Sequence, residues 1–192
     1  MTTIHSPSKT TLYGRCAAAA DRGAWSVERD IGWAEIDRER AFARPDILAS
    51  LRDAVLIESY HPLNLARLLR ATLDDIDAGV VFSLELYEGF KHFHSLRRYL
   101  DTIAYEPAIT DEELVTIRQA QTEIDLLPGE LVPQLVEFML SEHLATTSFA
   151  DWANRLKIPC WRICCHASPR TKCATPRAHL TSSPSGLQPI RR

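Results

Sequence analysis

The chain has 192 residues, of which 45% are apolar, and a formal net charge of −3 at pH 7. This length and composition predict one domain with an apolar core. A near-neutral total charge, with no basic region in the body of the chain, argues against nucleic-acid binding. No run of 18 consecutive apolar residues and no apolar signal segment occur, so we expect a cytoplasmic protein without a membrane span.

Charge is distributed unevenly along the chain. The first 151 residues contain all 25 acidic residues and 14 of the 22 lysines and arginines, whereas residues 152–192 contain no Asp or Glu. The change predicts a loose lead-in over residues 1–24, a helical bundle over 25–157, and a low-complexity, disordered basic tail over 158–192.

The first long helices follow from proline positions. Pro45 is a favourable first helical residue, so a helix is predicted from there to Tyr60, where Pro62 interrupts it before a continuation to Leu73. Residues 75–101 contain no proline and predict a single helix of about seven turns.

The bounds of the later helices are also predicted, the first of them from a capping box. Thr110 with Glu113 three residues on starts a helix through about Ile124, and another long helix is predicted from Glu130 to about Leu156. No pattern with the period of a β-strand competes, so the predicted fold class is all-α.

Several acidic residues lie on the apolar stripes of these helices. Glu58 and Glu142 each follow apolar residues at helical spacing, and Glu88 does the same on the middle helix, where Glu85 and His92 share its face. Carboxylates that converge in an apolar bundle repel one another unless a cation compensates them. Carboxylate with imidazole suits iron or manganese, and four-helix bundles hold metal pairs in this way.

Two segments carry a resemblance to a known family. The segment Leu84-Glu85-Leu86-Tyr87-Glu88-Gly89-Phe90-Lys91-His92, followed by Arg97-Arg98-Tyr99-Leu100, and the segment Ser141-Glu142-His143-Leu144-Ala145 resemble metal-binding helices of the ferritin-like di-iron carboxylate superfamily. The resemblance is specifically to its oxygenase branch, which includes acyl-carrier-protein desaturases and ribonucleotide reductase small subunits.

The resemblance implies an antiparallel ferritin-like bundle that binds two iron ions, or a manganese-iron pair. It implies metal ligands at Glu58, Glu85, Glu88, His92 and Glu142. Because Glu88 and His92 are four residues apart and the family usually spaces such a pair by three, two arrangements stay open. Either the His92 ring reaches the metal, or Glu85 and Glu88 coordinate while His92 lies beside the site.

The family's last metal motif, Asp-Glu-x-Arg-His, is missing where it should follow Pro159. We therefore expect the fourth core helix to be incomplete or missing. We hypothesise that the chain is truncated, or that its reading frame changes, near Pro159. A search of the gene's other reading frames for a helix with this motif tests the hypothesis.

The implied activity is oxygen-dependent oxygenation or desaturation of a small organic or carrier-bound substrate with an electron donor. Without the last ligand helix, this chain is expected to bind metal weakly and to turn over little or not at all. A homodimer is one expected assembly, because an incomplete bundle exposes apolar surface. The alternative is a non-catalytic helical interaction or regulatory domain whose inward acids are salt-bridged.

The remaining histidines, cysteines and basic residues are assigned to other roles. His61, His94 and His143 are expected beside the site or at the surface, and Lys91, Arg97 and Arg98 on a solvated basic face. The tail residues with metal-binding side chains match no common zinc spacing, which favours disorder over a zinc site; they are Cys160, Cys164, Cys165, His166, Cys173 and His179.

Overall fold

The computed structural model describes residues 11–121 and 129–158, and over these residues the chain forms helices and no strand. The predicted all-α class is confirmed. The helices are α1 (Leu12–Gly23), α2 (Arg38–Phe42), α3 (Pro45–Ala71), α4 (Ile76–Thr102), α5 (Asp111–Gln119) and α6 (Leu131–Leu156), with a 3-10 turn at Trp33–Glu35.

The long helices α3 and α4 form the centre of the bundle and run antiparallel. His61 of α3 lies against Gly89 of α4, whereas Leu65, one turn later in α3, shares a cluster with Phe82, earlier in α4. Helix α6 lies against both and runs parallel to α4, because Phe138 contacts Phe82. Farther along both helices, Phe149 contacts His92.

The core consists of two apolar clusters at different levels of the bundle. The larger one includes Leu51, Val55, Leu96 and Tyr99, and the smaller one is built on Leu65, Leu68 and Phe82 with Leu135 and Phe138 packed against it. The helix turns between these levels carry Glu58, Glu85 and Glu142. The acidic residues therefore lie between two regions that exclude water.

The predicted interruption at Pro62 is wrong, because α3 continues through it from Pro45 to Ala71. Proline has no N–H, so Pro62 cannot donate to the carbonyl of Glu58 as an ordinary helical residue would. The neighbouring carbonyl of Ser59 accepts a hydrogen bond from Nη1 of Arg118. Apolar burial on both sides of the proline holds the helix together, with Val55 and Leu65 fully buried.

Two helices begin at side-chain caps, of which the one at Thr110 was predicted. Asp75 accepts a hydrogen bond from the Ala78 N–H and starts α4, and Thr110 accepts one from the Glu113 N–H and starts α5. Helix α5 ends at Gln119, earlier than the predicted Ile124, which lies outside the described residues.

The end of α6 is closed by a left-handed residue. Lys157 has φ 54°, and the Ile158 N–H donates to the Ala153 carbonyl at 3.1 Å. This is the Schellman pattern, in which an apolar residue beyond the cap packs back on the helix. Ile158 is buried in the larger cluster, so the folded part extends one residue past the predicted boundary at 157.

The N-terminal segment differs from the predicted loose lead-in over residues 1–24. Leu12–Gly23 forms α1, whose start is capped by the Thr11 side chain. Its run of alanines favours helix, and the Tyr13 N–H donates to Asp77 Oδ1 of α4 at 2.9 Å. The first ten residues lie outside the described part.

Apart from Ile158, the predicted disordered tail over 158–192, with its cysteines and the expected fourth-helix position, also lies outside the described residues. None of the helices in the described part is long and apolar enough to cross a membrane.

Candidate metal centre

Three helices bring half-buried acidic and imidazole side chains together. Helix α3 supplies Glu58 and His61, α4 supplies Glu85, and α6 supplies Glu142. One ligand atom from each of His61, Glu85 and Glu142 lies within 4.8 Å of the others. His61 Nε2 and Glu142 Oε1 are 3.7 Å apart. These atoms are close enough together for one cation to contact all three.

The carboxyl groups of the cluster disfavour one another's ionisation. Burial, and then the charge of Glu85, raise the pKa of Glu58 to about 8. Burial is also the main cause that raises the pKa of Glu142 to about 8, followed by the charges of Glu85 and Glu58 and a hydrogen bond with Glu85. At pH 7 Glu58 and Glu142 therefore mostly retain their protons, and a bound cation would displace those protons.

The environment of His61 favours the neutral form of its imidazole ring. Burial lowers the pKa of its imidazole to about 4, so the ring is neutral at pH 7. A neutral imidazole offers a nitrogen lone pair, which is the form that binds metal. The ring stacks on Phe138 with centroids 5.9 Å apart, which fixes the direction of its nitrogens.

In the part of the chain that the structure describes, Glu58 and Glu142 have no cationic side chain as a partner. Within residues 11–121 and 129–158, no lysine or arginine is ion-paired with Glu58 or Glu142. The donor set of three carboxylates and one imidazole suits Fe²⁺ or Mn²⁺ and is poor in the sulfur ligands that softer ions prefer. The residues present therefore fit the metals that the sequence predicts.

Of the five ligands predicted from the sequence, the structure puts Glu85 and Glu142 in the group within 4.8 Å, and Glu58 near enough for its charge to raise the pKa of Glu142. It places Glu88 elsewhere. Glu88 accepts a hydrogen bond from Trp25 Nε1 at 2.8 Å and pairs with Lys91 Nζ at 2.5 Å. Its carboxylate is therefore already compensated by a side-chain cation.

The fifth predicted ligand, His92, lies between aromatic rings. It stacks near Trp25 with centroids 6.3 Å apart and meets the edge of Phe149 at 5.7 Å. Neither Glu88 nor His92 is in the group of ligand atoms within 4.8 Å of one another.

The predicted solvated basic face is wrong for Lys91, which is only 5% exposed. Its ammonium lies 4.6 Å from the centroid of the Trp25 ring and 4.8 Å from that of Tyr87. Trp25 is 66 residues away in sequence, so the pattern of α4 alone does not reveal this cover. Arg97 and Arg98 are half-buried and pair with Asp111 and Glu28.

Sequence reasoning missed His61 as a member of the cluster. The available signal was the spacing Glu58-Ser59-Tyr60-His61, a Glu-x-x-His pair that puts both side chains on one face of a helix. Di-iron bundles use this same i, i+3 pair. The resemblance of α4 to a metal-binding helix instead suggested that role for Glu88 and His92, whose spacing is i, i+4.

In comparisons with known proteins, no family model, no curated protein and no solved structure matches the chain. The resemblance to the ferritin-like superfamily therefore stays a prediction. What can be said of the centre rests on the geometry of its own residues.

Proposed function

We propose that this protein binds a divalent first-row metal ion, Fe²⁺ or Mn²⁺, through His61, Glu85 and Glu142, with Glu58 as a further ligand. The observation that carries the proposal is the convergence of ligand atoms from three helices to within 4.8 Å of one another. Carboxylates in such an environment either hold protons or bind a cation. A buried, neutral imidazole in the same cluster favours the metal.

Each side chain has a defined part in this proposal. His61 donates a lone pair from Nε2, the nitrogen that faces Glu142. Glu58 and Glu142 release protons as the ion enters, so affinity rises with pH up to about 8. Apolar clusters lie on both sides of the ligands, while the Glu142 side chain is 31% exposed and open to an entering ion.

We further propose a relation to di-iron oxygenases and desaturases. Those bundles combine two single glutamates with two Glu-x-x-His pairs; here the single glutamates are Glu85 and Glu142, and Glu58 with His61 forms one pair. Bound iron in such bundles supplies oxygen-dependent oxidation of an organic substrate. Since the described residues contribute one such pair to the cluster, we expect one ion per chain and little or no turnover.

The test is an anaerobic titration of the full chain with Mn²⁺ or Fe²⁺, followed by calorimetry and thermal unfolding. We expect about one ion per chain and a melting temperature that rises with ion concentration. Glu142→Gln and His61→Ala should each weaken binding by about 100-fold or more, because even outer partners of metal ligands are worth 10- to 100-fold.

The matched control is Glu137→Gln on the same helix. Glu137 is exposed and its carboxylate accepts a hydrogen bond from Gln134, well away from the cluster, so binding should be unchanged. A wild-type chain whose melting temperature does not respond to either ion contradicts the proposal. Equal affinities of wild type and Glu142→Gln would contradict it as well.

One observation favours the alternative, a non-catalytic helical interaction domain. Glu88 and Lys91 form a buried ion pair, as that alternative expects of inward acids. Under it, replacing Glu58 or Glu142 by Gln leaves stability independent of metal and changes it little. The same titration separates the two functions.

A further inference from the structure

Gly89 lies on the face of α4 that meets the His61 ring. A Cβ atom at position 89 would lie 2.8 Å from His61 Cδ2 and 3.4 Å from His61 Nε2. Carbon atoms that are not bonded to each other do not approach to 2.8 Å, so any side chain at this position would displace the ring. Gly89 is buried, so this contact lies inside the bundle.

The opposite side of the ring is also occupied. Phe138 of α6 stacks on His61, and Phe138 in turn meets the edge of Phe82 with centroids 5.8 Å apart. The His61 side chain is only 12% exposed. The ring is therefore held between the backbone of α4 and an aromatic side chain of α6.

A glycine in the middle of a helix lowers the stability of the helix, so its presence calls for a structural explanation. Glycine is about 1 kcal/mol less favourable than alanine in a helix interior. Gly79, also in α4, has no atom within 4 Å of the place where a Cβ would lie, so alanine would fit there freely. Of these two glycines, Gly89 is the one whose missing side chain makes room for another residue.

We propose that Gly89 is a positioning residue of the metal centre. Its missing side chain lets the His61 ring lie where Nε2 faces Glu142 Oε1 at 3.7 Å. The size of residue 89 therefore sets the metal affinity without residue 89 touching the ion. The metal readout of this proposal rests on the proposed function, whereas the ring position can be measured on the metal-free chain.

The experiment compares Gly89→Ala with Gly79→Ala in the full chain. Because alanine favours helix, Gly79→Ala should keep or raise the melting temperature and leave Mn²⁺ affinity unchanged. Gly89→Ala should lose about 10-fold or more in Mn²⁺ affinity, the size of effect expected when a metal ligand loses its orientation. In the metal-free protein, its His61 ring-proton NMR resonances should shift, because the ring moves relative to Phe138.

Rescue by a second substitution keeps the test decisive if Gly89→Ala folds poorly. Phe138→Leu makes room on the other side of the ring, so the double variant should regain melting temperature and Mn²⁺ affinity relative to Gly89→Ala. A double variant that regains neither overturns the proposal.

Failure of this inference can be told from failure of the proposed function. If the wild type binds Mn²⁺ and Gly89→Ala binds it equally well, the positioning role is wrong and the metal centre stands. If the wild type binds no Mn²⁺, the metal centre is wrong and the NMR comparison decides. Unchanged His61 resonances in Gly89→Ala then show that Gly89 does not place the ring either, whereas shifted ones support the placement of the ring by Gly89 without a metal role.

Discussion

Protons on buried side chains govern the candidate centre at the scale of single residues. The pKa of Glu58 is raised from 4.5 to about 8, so between these values the folded chain holds a proton that the unfolded chain does not hold. His61 has its pKa lowered from 6.5 to about 4, so between these values the folded chain lacks a proton that the unfolded chain holds. The two residues therefore make stability depend on pH in opposite directions.

The pKa values of Glu58 and Glu142 are both raised, whereas only that of His61 is lowered. We therefore expect the metal-free protein to be most stable near pH 4.5 as far as these three groups determine its stability. The stabilisation from protonated Glu58 is complete below pH 4.5 and is lost as pH rises to 8, by roughly 2 to 4 kcal/mol. The stabilisation from neutral His61 is complete above pH 6.5 and is lost as pH falls to 4. Urea unfolding of the metal-free chain between about pH 4 and 9 measures both slopes.

Two variants separate this effect from the rest of the molecule. Glu58→Gln cannot ionise, so its stability should fall less between about pH 5 and 8 than that of the wild type. Glu137→Gln, at an exposed position, should keep the wild-type slope. A wild-type stability that rises steadily over the same pH range would contradict the burial of Glu58.

How far the sequence predicts the centre depends on what each residue needs from other helices. Glu58 and Glu142 were predicted because their own helices surround them with apolar residues. Glu88 has the same local pattern, but Trp25 and Lys91 give it partners that helical spacing does not reveal. His61 was assigned a place beside the site because the role of Glu-x-x-His was sought on α4 instead of α3.

Contacts of α4 with the N-terminal segment matter most at the scale of elements. Trp25 donates to Glu88, the Tyr13 N–H donates to Asp77, and Glu28 pairs with Arg98. These contacts tie the segment before α2 along α4. The buried pair of Glu88 and Lys91 lies at their centre, and one partner without the other would be an uncompensated buried charge.

We expect Glu88→Gln to lower stability by about 3 kcal/mol, because Lys91 then lacks its counter-charge in the interior. Mn²⁺ affinity should stay within a few-fold of the wild type, because Glu88 lies outside the clustered ligands. Urea unfolding measures the stability of Glu88→Gln, and metal titration of the same sample measures its Mn²⁺ affinity.

Glu85→Gln serves as the comparison and should lose affinity. If Glu88→Gln instead abolishes metal binding while it leaves stability intact, the sequence-based assignment of Glu88 as a ligand is correct.

Element boundaries were predictable where a side chain makes them. Asp75 and Thr110 cap their own helices, so local sequence was enough. Pro62 was misjudged because a proline disrupts a helix only when tertiary contacts fail to compensate its missing hydrogen bond. Burial of Val55 and Leu65 and the hydrogen bond from Arg118 provide that compensation, and these are long-range contacts.

The outer face of α6 is the notable surface at the scale of the whole molecule. Five large apolar side chains on it are each 51% to 68% exposed: Val132, Val136, Met139, Leu140 and Leu144. Together they present roughly 500 Å² of apolar surface, the size of the largest apolar patch on a typical monomer, and such patches are often interaction sites.

We predict that two copies of the chain associate through this face. Among the residues that line this face Glu137 is the charged one, and two such faces together approach the roughly 1,000 Å² that a stable interface needs. Light scattering between about 1 and 100 μM should show a dimer for the wild type and a monomer for Leu140→Glu.

The control is Ile57→Glu on α3, at an apolar residue that is 53% exposed and lies on another helix. It should remain dimeric. A wild-type chain that is monomeric at the highest concentration, or an Ile57→Glu variant that dissociates as fully as Leu140→Glu, would contradict the interface.

The burial of Ile158 has a consequence for whatever is joined to it. Because Ile158 is anchored in the core, a following segment starts from a fixed point at the end of α6. Glu142 lies about 16 residues back along the chain, or about 24 Å at 1.5 Å per helical residue. An extended tether spans that distance with about seven residues at up to about 3.6 Å each. Even a short appended peptide is therefore long enough to return to the level of the carboxylates.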